Sequence, residues 1–440
     1  MDRELTGSAA REAFGPELRP GPEFAERLDT EDPLAGFRAR FDLPRAGGDS
    51  VVYLVGNSLG PLPVAAREAL DGEIDRWATL GVDGWFKDPS PWYELDERFL
   101  ASLARLVGAG PREVAVMNGL TVNLHLLLAS FFRPSGPRRR ILIERPCFPS
   151  DRFVVQTHLR WHGLDPVTDI VEIGPRDGSD LIDEADIEAA LEVGGDEVAL
   201  VLLSGVNFLT GQMLDMPRIA RAARSCGALV GFDLAHAVGN VDLHLHDWDI
   251  DFAAWCHYKY VNAGPGAPAG VFVHERHAAN PEVGRLGGWW GNDPATRFRM
   301  QLDPNFIPRP DAAGWQLSCP PVLAMAPLGP ALSLFDEAGM DRLRAKSIRL
   351  TAYLEWLIST GTGDGFELMT PEDPDRRGGQ LSVRLAGRAS RIQARLQEAG
   401  VVCDYRQPDV LRLAPAPLFN TFGEMWRTAR TFQAAIREAL

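Results

Sequence analysis

The chain has 440 residues, 45% of them hydrophobic, with 45 basic against 60 acidic side chains and a net charge of -15. One core rarely organises that length, so a large lobe and a smaller one are expected, and the negative charge argues against polyanionic partners such as nucleic acid or acidic lipid surfaces and for a small-molecule substrate. The cysteines Cys147, Cys226, Cys256, Cys319 and Cys403 are scattered singly, which suggests neither a disulfide framework nor a zinc knuckle and points to a reducing, cytoplasmic compartment.

The opening run MDRELTGSAAREAFGPELRP alternates charged and small residues and lacks the apolar core of a secretory signal. A Gly/Pro-punctuated stretch, NSLGPLP at 57–63, is followed by a helix-like segment and by the aromatic-rich loop GVDGWFKDPSPWYELD at 81–96, of the kind that lines a site. From about Val114 to Val273, short β-rich runs (VAV at 114, ILI at 141, VALVLL at 198, ALVGF at 228, FAAW at 252, AGVFV at 269) alternate with helical patterns. That alternation predicts an α/β fold: a mostly parallel central sheet with helices on both faces. MPRIARAARSCG illustrates one crossover, with Pro217 in the first turn, Ile219, Ala222 and Ala223 at helical spacing, and Gly227 as the stop. The most apolar run, VALVLLSGV at 198–206, is far short of the roughly 20 residues a membrane helix needs. Beyond Leu328 the pattern predicts one long helix to about Ser359, strands at 381 and 410 with a helix between them, and a terminal helix from Phe422: a small α+β domain. The expected division is an N-terminal segment, 1–70, a large domain, 71–327, and a small C-terminal domain, 328–440, to which the N-terminal segment contributes.

Two stretches carry the most chemistry, GFDLAHAVGN at 231–240 and CHYKY at 256–260. Asp233 ends the strand ALVGF, and ligands of open parallel sheets bind outside the carboxyl ends of strands. A carboxylate there can keep a pyridine nitrogen protonated, which makes the ring an electron sink. Lys259 follows the next strand between Tyr258 and Tyr260, where partial desolvation favours a Schiff base with an aldehyde cofactor; the competing reading is a surface lysine lying along aromatic rings. Asp233 on the preceding strand favours the first reading. His236 suits either a cofactor contact or a satisfied core position. Gly119 to Thr121 open an apolar helical run and fit either a phosphate cradle or a plain helix cap. Phe148 and Asp151, in CFPSD, offer a stacking ring and a polar contact, or a loop with a buried aromatic. Arg412 in VLRLAP is by default exposed, yet its fork suits the carboxylate of an amino acid. His244, His246 and Asp247 lack a third metal ligand at ordinary spacing, so no metal is expected.

Together these stretches resemble kynureninase, within the aminotransferase-like fold type I group of pyridoxal-phosphate enzymes. The motifs are GNSLG at 56, NGLTVNLHLL at 118, PCFPSD at 146, LSGVNFLTGQ at 203, GFDLAHAVGNVDL at 231, WCHYKYVNAGPG at 255, GWWG at 288, ATRFRM at 295 and LRLAPAPLFN at 411. The resemblance implies hydrolytic Cβ–Cγ cleavage of L-kynurenine to anthranilate and L-alanine, in tryptophan catabolism and NAD biosynthesis, with pyridoxal 5'-phosphate on Lys259 and Asp233 at its ring nitrogen. It implies that Phe148 stacks on the ring and that Leu120, Thr121, Pro149, Ser150, Asp151, Ser204, His236 and Tyr258 complete the cofactor site. Trp289 and Cys319 would reach it from the second subunit of a homodimer. Arg412 would clamp the substrate carboxylate near Asn57 and Ser58, and Tyr258 would transfer a proton late in the reaction. Cys319 stands where some relatives carry asparagine or threonine. Trp85 stands where vertebrate-type enzymes have histidine, which implies a preference for kynurenine over 3-hydroxykynurenine. The alternatives are a cysteine desulfurase-like lyase, for which Cys319 lies in no recognisable mobile loop, and a non-catalytic sensor, which would be expected to lose Lys259, Asp233 or Arg412.

Overall fold

The computed structural model describes residues 8–87, 89–361 and 365–439. Its centre is a seven-stranded sheet of β1 (Val114–Met117), β2 (Arg140–Glu144), β3 (Ile170–Ile173), β4 (Val198–Ser204), β5 (Leu229–Asp233), β6 (Phe252–Trp255) and β7 (Ala269–Val273), in the order β1-β7-β6-β5-β4-β2-β3. All pairings are parallel except those of β7, which runs antiparallel to both β1 and β6. Every residue of β4 is buried, as expected for a strand covered on both faces.

The two faces pack into separate apolar cores, Leu142, Val201 and Leu203 on one side and Ile141, Ile143, Leu200 and Leu202 on the other. Strict alternation fails at Ala199. There Arg140 pairs with Val198 but Ile141 pairs with Leu200, so Ala199 is an extra residue, and it joins Leu200 on one face. Glycines on neighbouring strands make room for large rings: a Cβ on Gly231 would lie 2.2 Å from its register partner Phe252, and one on Gly270 would lie 2.2 Å from Trp255.

The runs read as strands form β1, β2, β4, β5, β6 and β7; β3 is additional, an edge strand whose residues IVEI are only partly covered. The helix expected from Leu328 to Ser359 is two, Leu328–Ala338 and α1 (Met340–Gly361). Gly339, at φ 75°, breaks it in the left-handed conformation that glycine alone adopts freely.

A second core gathers residues from both ends of the chain. The small antiparallel sheet of β8 (Glu367–Leu368), β9 (Leu381–Arg384), β10 (Asp404–Arg406) and β11 (Val410–Leu413) has the order β8-β9-β11-β10. Its core includes Leu381, Leu411 and Phe432 together with Phe24, Leu28, Val52 and Leu54 of the N-terminal segment. Val52–Tyr53 also pairs in parallel with Val401–Val402. Asp29 accepts hydrogen bonds from the first amides of the terminal helix α2 (Phe422–Ala439), Phe422 N at 2.6 Å and Gly423 N at 2.9 Å. A buried ion pair, Asp32 to Lys346 at 2.7 Å, fastens the same segment to α1.

Candidate active site

The parallel strands end in acid. Asp233 closes β5, Glu144 closes β2, and Asp151 lies in the first turn of α3 (Pro149–Trp161); all three carboxyls are buried. Ser204, at the end of β4, donates its hydroxyl to Glu144 Oε1 at 2.6 Å and its amide to the same carboxyl at 3.1 Å. Asp233 Oδ1 accepts the Ala235 amide at 2.7 Å. Burial, reinforced by the neighbouring Asp233 charge, holds Asp151 well above the usual carboxylate range. Burial likewise pushes Glu144 up to about 7, partly offset by its bonds from Ser204. Asp151 Oδ1 has no hydrogen-bond partner among the described residues.

The Lys259 ammonium supplies the opposing charge, and its Nζ lies 5.9 Å from the centroid of the Phe148 ring. Phe148 in turn meets Phe208 edge-on at 5.3 Å. Lys259 sits in a loop that the GNSLG segment pins from outside. Gly60 N donates to Tyr258 O at 2.8 Å, and a Cβ at Gly60 would lie 2.6 Å from Lys259 O and 2.2 Å from Asn262 Oδ1. No side chain fits there, which is the physical reason for glycine. The Tyr258 hydroxyl lies against the Cys256 thiol, and burial raises its proton affinity.

Arg412, in β11, is not the exposed arginine that the default reading expected; it is 1% exposed. Its guanidinium donates to Phe208 O at 2.7 Å and pairs with Asp404, while its Nε is buried with no acceptor among the described residues. Burial lowers its proton affinity, offset by Asp404. His236 is buried beside Lys259 and Arg412, and desolvation with those two charges keeps it neutral, well below its ordinary range. Asn57 is buried and donates to Gln380 Oε1 at 2.7 Å; Ser58 is exposed beside it. Thr121 and Ser150 join their hydroxyls at 2.8 Å, at the starts of α4 (Leu120–Phe131) and α3, so Leu120, Thr121, Pro149 and Ser150 form one partly open rim.

Of the residues expected at the site, Trp85, Trp289 and Cys319 stand apart within the chain. Among the described residues no hydrogen bond, ion pair or ring contact joins them to the acidic cluster. Trp85 packs on Trp92 and Trp290 at 5.7 and 5.8 Å, and Trp289 packs on Trp290 and Phe298 at 5.4 and 5.6 Å. Reading the sequence also missed Glu144, Phe208, Gln380 and Asp404. Glu144 had a usable signal, since ILIE puts an acid at the same strand edge as Asp233. The other three are defined by partners 172 to 204 residues away, or by a cross-strand neighbour.

A pyridinium-bearing aldehyde phosphate fits these residues: a buried carboxyl cluster short of one cation, an unpartnered Asp151 oxygen, a lysine over an aromatic ring, and amide and hydroxyl groups at the start of a 12-residue helix. The family model described as "Kynureninase C-terminal domain" matches residues 343–432. A kynureninase of Salinispora tropica is 51% identical over 418 residues, covering 94% of this chain and 96% of that one. Kynureninases of Xanthomonas euvesicatoria (52% over 404 residues, 91% of this chain and 95% of that) and Myxococcus xanthus (49% over 416 residues, 94% and 97%) are similar to the same extent. Among solved structures, the cysteine desulfurase CsdA of Escherichia coli superposes with a TM-score of 0.74 at 20% identity, covering 92% of this chain and 98% of that one. A C-DES mutant with glycine linked to its pyridoxal phosphate gives 0.71 at 18% identity, covering 90% and 98%. At such identities these two show a shared fold type I architecture.

The raised Glu144 proton affinity has a stability consequence. Its folded value, about 7, exceeds the ordinary 4.5, so the native state holds this proton more tightly than the unfolded chain. The contribution is complete below about 4.5 and is lost as pH rises through about 7, by about 3 kcal/mol at most. Urea unfolding of cofactor-free protein across that window should show the decline, and Glu144→Gln should flatten it; superimposable pH dependences would refute the assignment.

Proposed function

Since the chain belongs to the kynureninase family, we propose that Lys259, Asp233 and Arg412 carry its reaction, with the three buried carboxyls facing one lysine as the observation that supports this. The enzyme hydrolyses the Cβ–Cγ bond of L-kynurenine to give anthranilate and L-alanine, with pyridoxal 5'-phosphate as cofactor. Lys259 would hold the cofactor aldehyde, Asp233 its ring nitrogen with Asp151 behind, and Phe148 one ring face. The α4 start, Thr121 and Ser150 would take the phosphate, and Ser204, His236 and Tyr258 would close the pocket. When bound, pyridoxal phosphate provides a sink for the electron pair left at the substrate Cα.

The chain's own groups divide the remaining work. Arg412 binds the substrate α-carboxylate, exchanging part of its pairing with Asp404 and giving its unpartnered Nε an acceptor. That interaction fixes the amino acid while Asn57 and Ser58 line the approach. The Lys259 amine, released when substrate binds, removes the Cα proton. Neutral His236 leaves the local positive charge to Lys259 and Arg412. Water adds to the γ-carbonyl, the Cβ–Cγ bond breaks to release anthranilate, and Tyr258 supplies the proton that Cβ then takes; the high proton affinity that burial gives its hydroxyl suits a group that stays protonated until that step. The division at 71 and 328 is read in the same way, with the large domain holding Lys259 and the small one bringing Arg412.

A homodimer is the assembly we propose. The helix Val64–Leu80 buries only Ala66, while Val64, Ile74 and Trp77 are exposed, and Phe86, Trp289, Phe298 and Phe306 are exposed as well. So large an apolar set needs a cover, and the partner's Trp289 and Cys319 segments would then complete the pocket. No described helix is long and apolar enough to cross a membrane, and the free cysteines support the cytoplasmic reading.

With pyridoxal phosphate bound, the protein should release fluorescent anthranilate from L-kynurenine. Lys259→Ala should abolish turnover, and Arg412→Lys should raise KM by at least tenfold, since a bidentate anchor becomes a point charge. A Lys259→Ala variant as active as the parent defeats the assignment. Light scattering should return twice 48.3 kDa, and Trp77→Glu should halve that mass; a parent already monomeric at 48.3 kDa contradicts the dimer. In the dimer the partner's Trp85 would fill the aryl end of the pocket, so kcat/KM should favour kynurenine over its 3-hydroxy derivative, and Trp85→His should narrow the ratio. A parent enzyme that prefers the hydroxylated substrate rules this out.

A further inference from the structure

The edge of the sheet opposite the acidic cluster carries a second concentration of ionisable groups, which the reaction does not use. Glu113 immediately precedes β1, His274 immediately follows β7, and His246 lies in the loop before β6. We propose that Glu113, His246 and His274 form a binding site for a divalent transition-metal ion of the zinc class. Reading the sequence found only half of it. His244 and His246 look like a pair, but the His244 ring packs on Trp248 at 5.7 Å, whereas His246 turns to a glutamate 133 residues earlier.

The geometry is that of a tridentate site. One ligand atom from each residue lies within 4.8 Å of the other two. His246 Nδ1 is 2.9 Å from Glu113 Oε1, and His274 Nδ1 is 3.6 Å from the same oxygen. Ligands bonded tetrahedrally to zinc at about 2.1 Å stand about 3.4 Å apart, so these separations bracket what an ion requires. His274 Nδ1 accepts the Arg276 amide at a long 3.3 Å, which puts its lone pair on Nδ1. An ion at Nδ1 would take over the lone pair from that long, weak amide contact.

The surroundings hold the ligands as metal sites do. The Glu113 carboxylate is aimed by two backbone amides, Gly110 N to Oε2 and Glu275 N to Oε1, both at 2.8 Å. His274 Nε2 lies 3.5 Å from Asp249 Oδ1, so a carboxylate stands behind the ring. The two imidazoles stack at 4.8 Å with 20° between planes, so ion binding turns the exposed His246 ring to bring both in-plane lone pairs onto one ion. Asp247 and Glu275 lie close to His246, while the nearby cations Arg224 and Arg276 are engaged by Asp249 and Asp251. The His246 side chain is 41% exposed, which leaves a water-accessible fourth position and a path in. Such an ion would clamp the beginnings of β1 and β6 and the end of β7, away from Lys259, so its effect is structural.

The test uses the full-length, cofactor-loaded protein, stripped with a chelator and dialysed. Titration with Zn2+ followed by calorimetry should give one ion per chain. Titration with Co2+ should give a visible spectrum without thiolate charge-transfer bands, which separates this site from the free cysteines. His246→Ala, at the most exposed ligand, should weaken binding at least ~10-fold, and His244→Ala should leave it unchanged. Zn2+ should raise the Tm of the parent and of His244→Ala but not of His246→Ala, with kcat for kynurenine unaltered. Absence of binding at ~100 μM Zn2+, well above the affinity of even weak structural sites, overturns the proposal, as does binding that survives His246→Ala or a cobalt spectrum dominated by thiolate.

Discussion

Three carboxyl groups, Glu144, Asp151 and Asp233, are crowded at the carboxyl ends of the parallel strands, out of water and next to one lysine. Charges a few ångströms apart in a medium of low effective dielectric repel by several kcal/mol, so the cluster cannot be fully ionised without a further cation. The protein responds in two ways. Protons are held on Glu144 and Asp151 beyond the ordinary range, and Ser204 spends both its donors on Glu144. A pyridinium placed at Asp233, as proposed, would supply the missing positive charge, and the cluster would in return keep that ring protonated. On that proposal the same repulsion that destabilises the cofactor-free site would tune the cofactor once bound, the usual relation between a strained site and its function.

The large and small lobes meet through the loop after β4. The Phe208 carbonyl accepts from Arg412 and from Gln380, both belonging to the small sheet region, while its ring packs on Phe148 of the large lobe. Gln380 also receives Asn57 of the N-terminal segment. One residue thus ties together Arg412, the ring near Lys259 and the segment that pins the lysine loop. The Arg412 region and the Phe148 ring are joined through one residue, Phe208.

Much of this architecture was legible in the sequence because burial enforces pattern. β4 and β6 read as unbroken apolar runs, and Asp233 and Lys259 follow strands at the edge where open sheets bind ligands. Legibility failed where the deciding partner is remote. β3 is a partly covered edge strand whose pairing with β2 gives it its identity. Gly339 breaks a helix that hydrophobic periodicity runs straight through. Arg412 reads as exposed because nothing nearby in sequence announces Asp404 across the ladder or Phe208 two hundred residues back. Trp85, Trp289 and Cys319 are a different case: family likeness assigned Trp85 to the aryl end of the pocket and Trp289 and Cys319 to the cofactor from a second subunit, whereas within one chain Trp85 and Trp289 pack around Trp290.

The GNSLG segment shows why a family phrase of small residues can matter more than its chemistry suggests. Gly56, Gly60 and the residues between them contribute few reactive groups, yet Gly60 lies so close to Lys259 O and Asn262 that no β-carbon fits. Its amide holds the Tyr258 carbonyl. The bonds that anchor this segment come from the small lobe: Leu54 N donates to Val402 O and Ala414 N to Leu54 O, both at backbone distances of 2.9 Å. The lysine loop of the large lobe is thus braced by backbone whose own anchor lies beside Arg412. This brace fixes the main chain beneath the Lys259 side chain by backbone contacts alone, as the proposed role of that lysine requires.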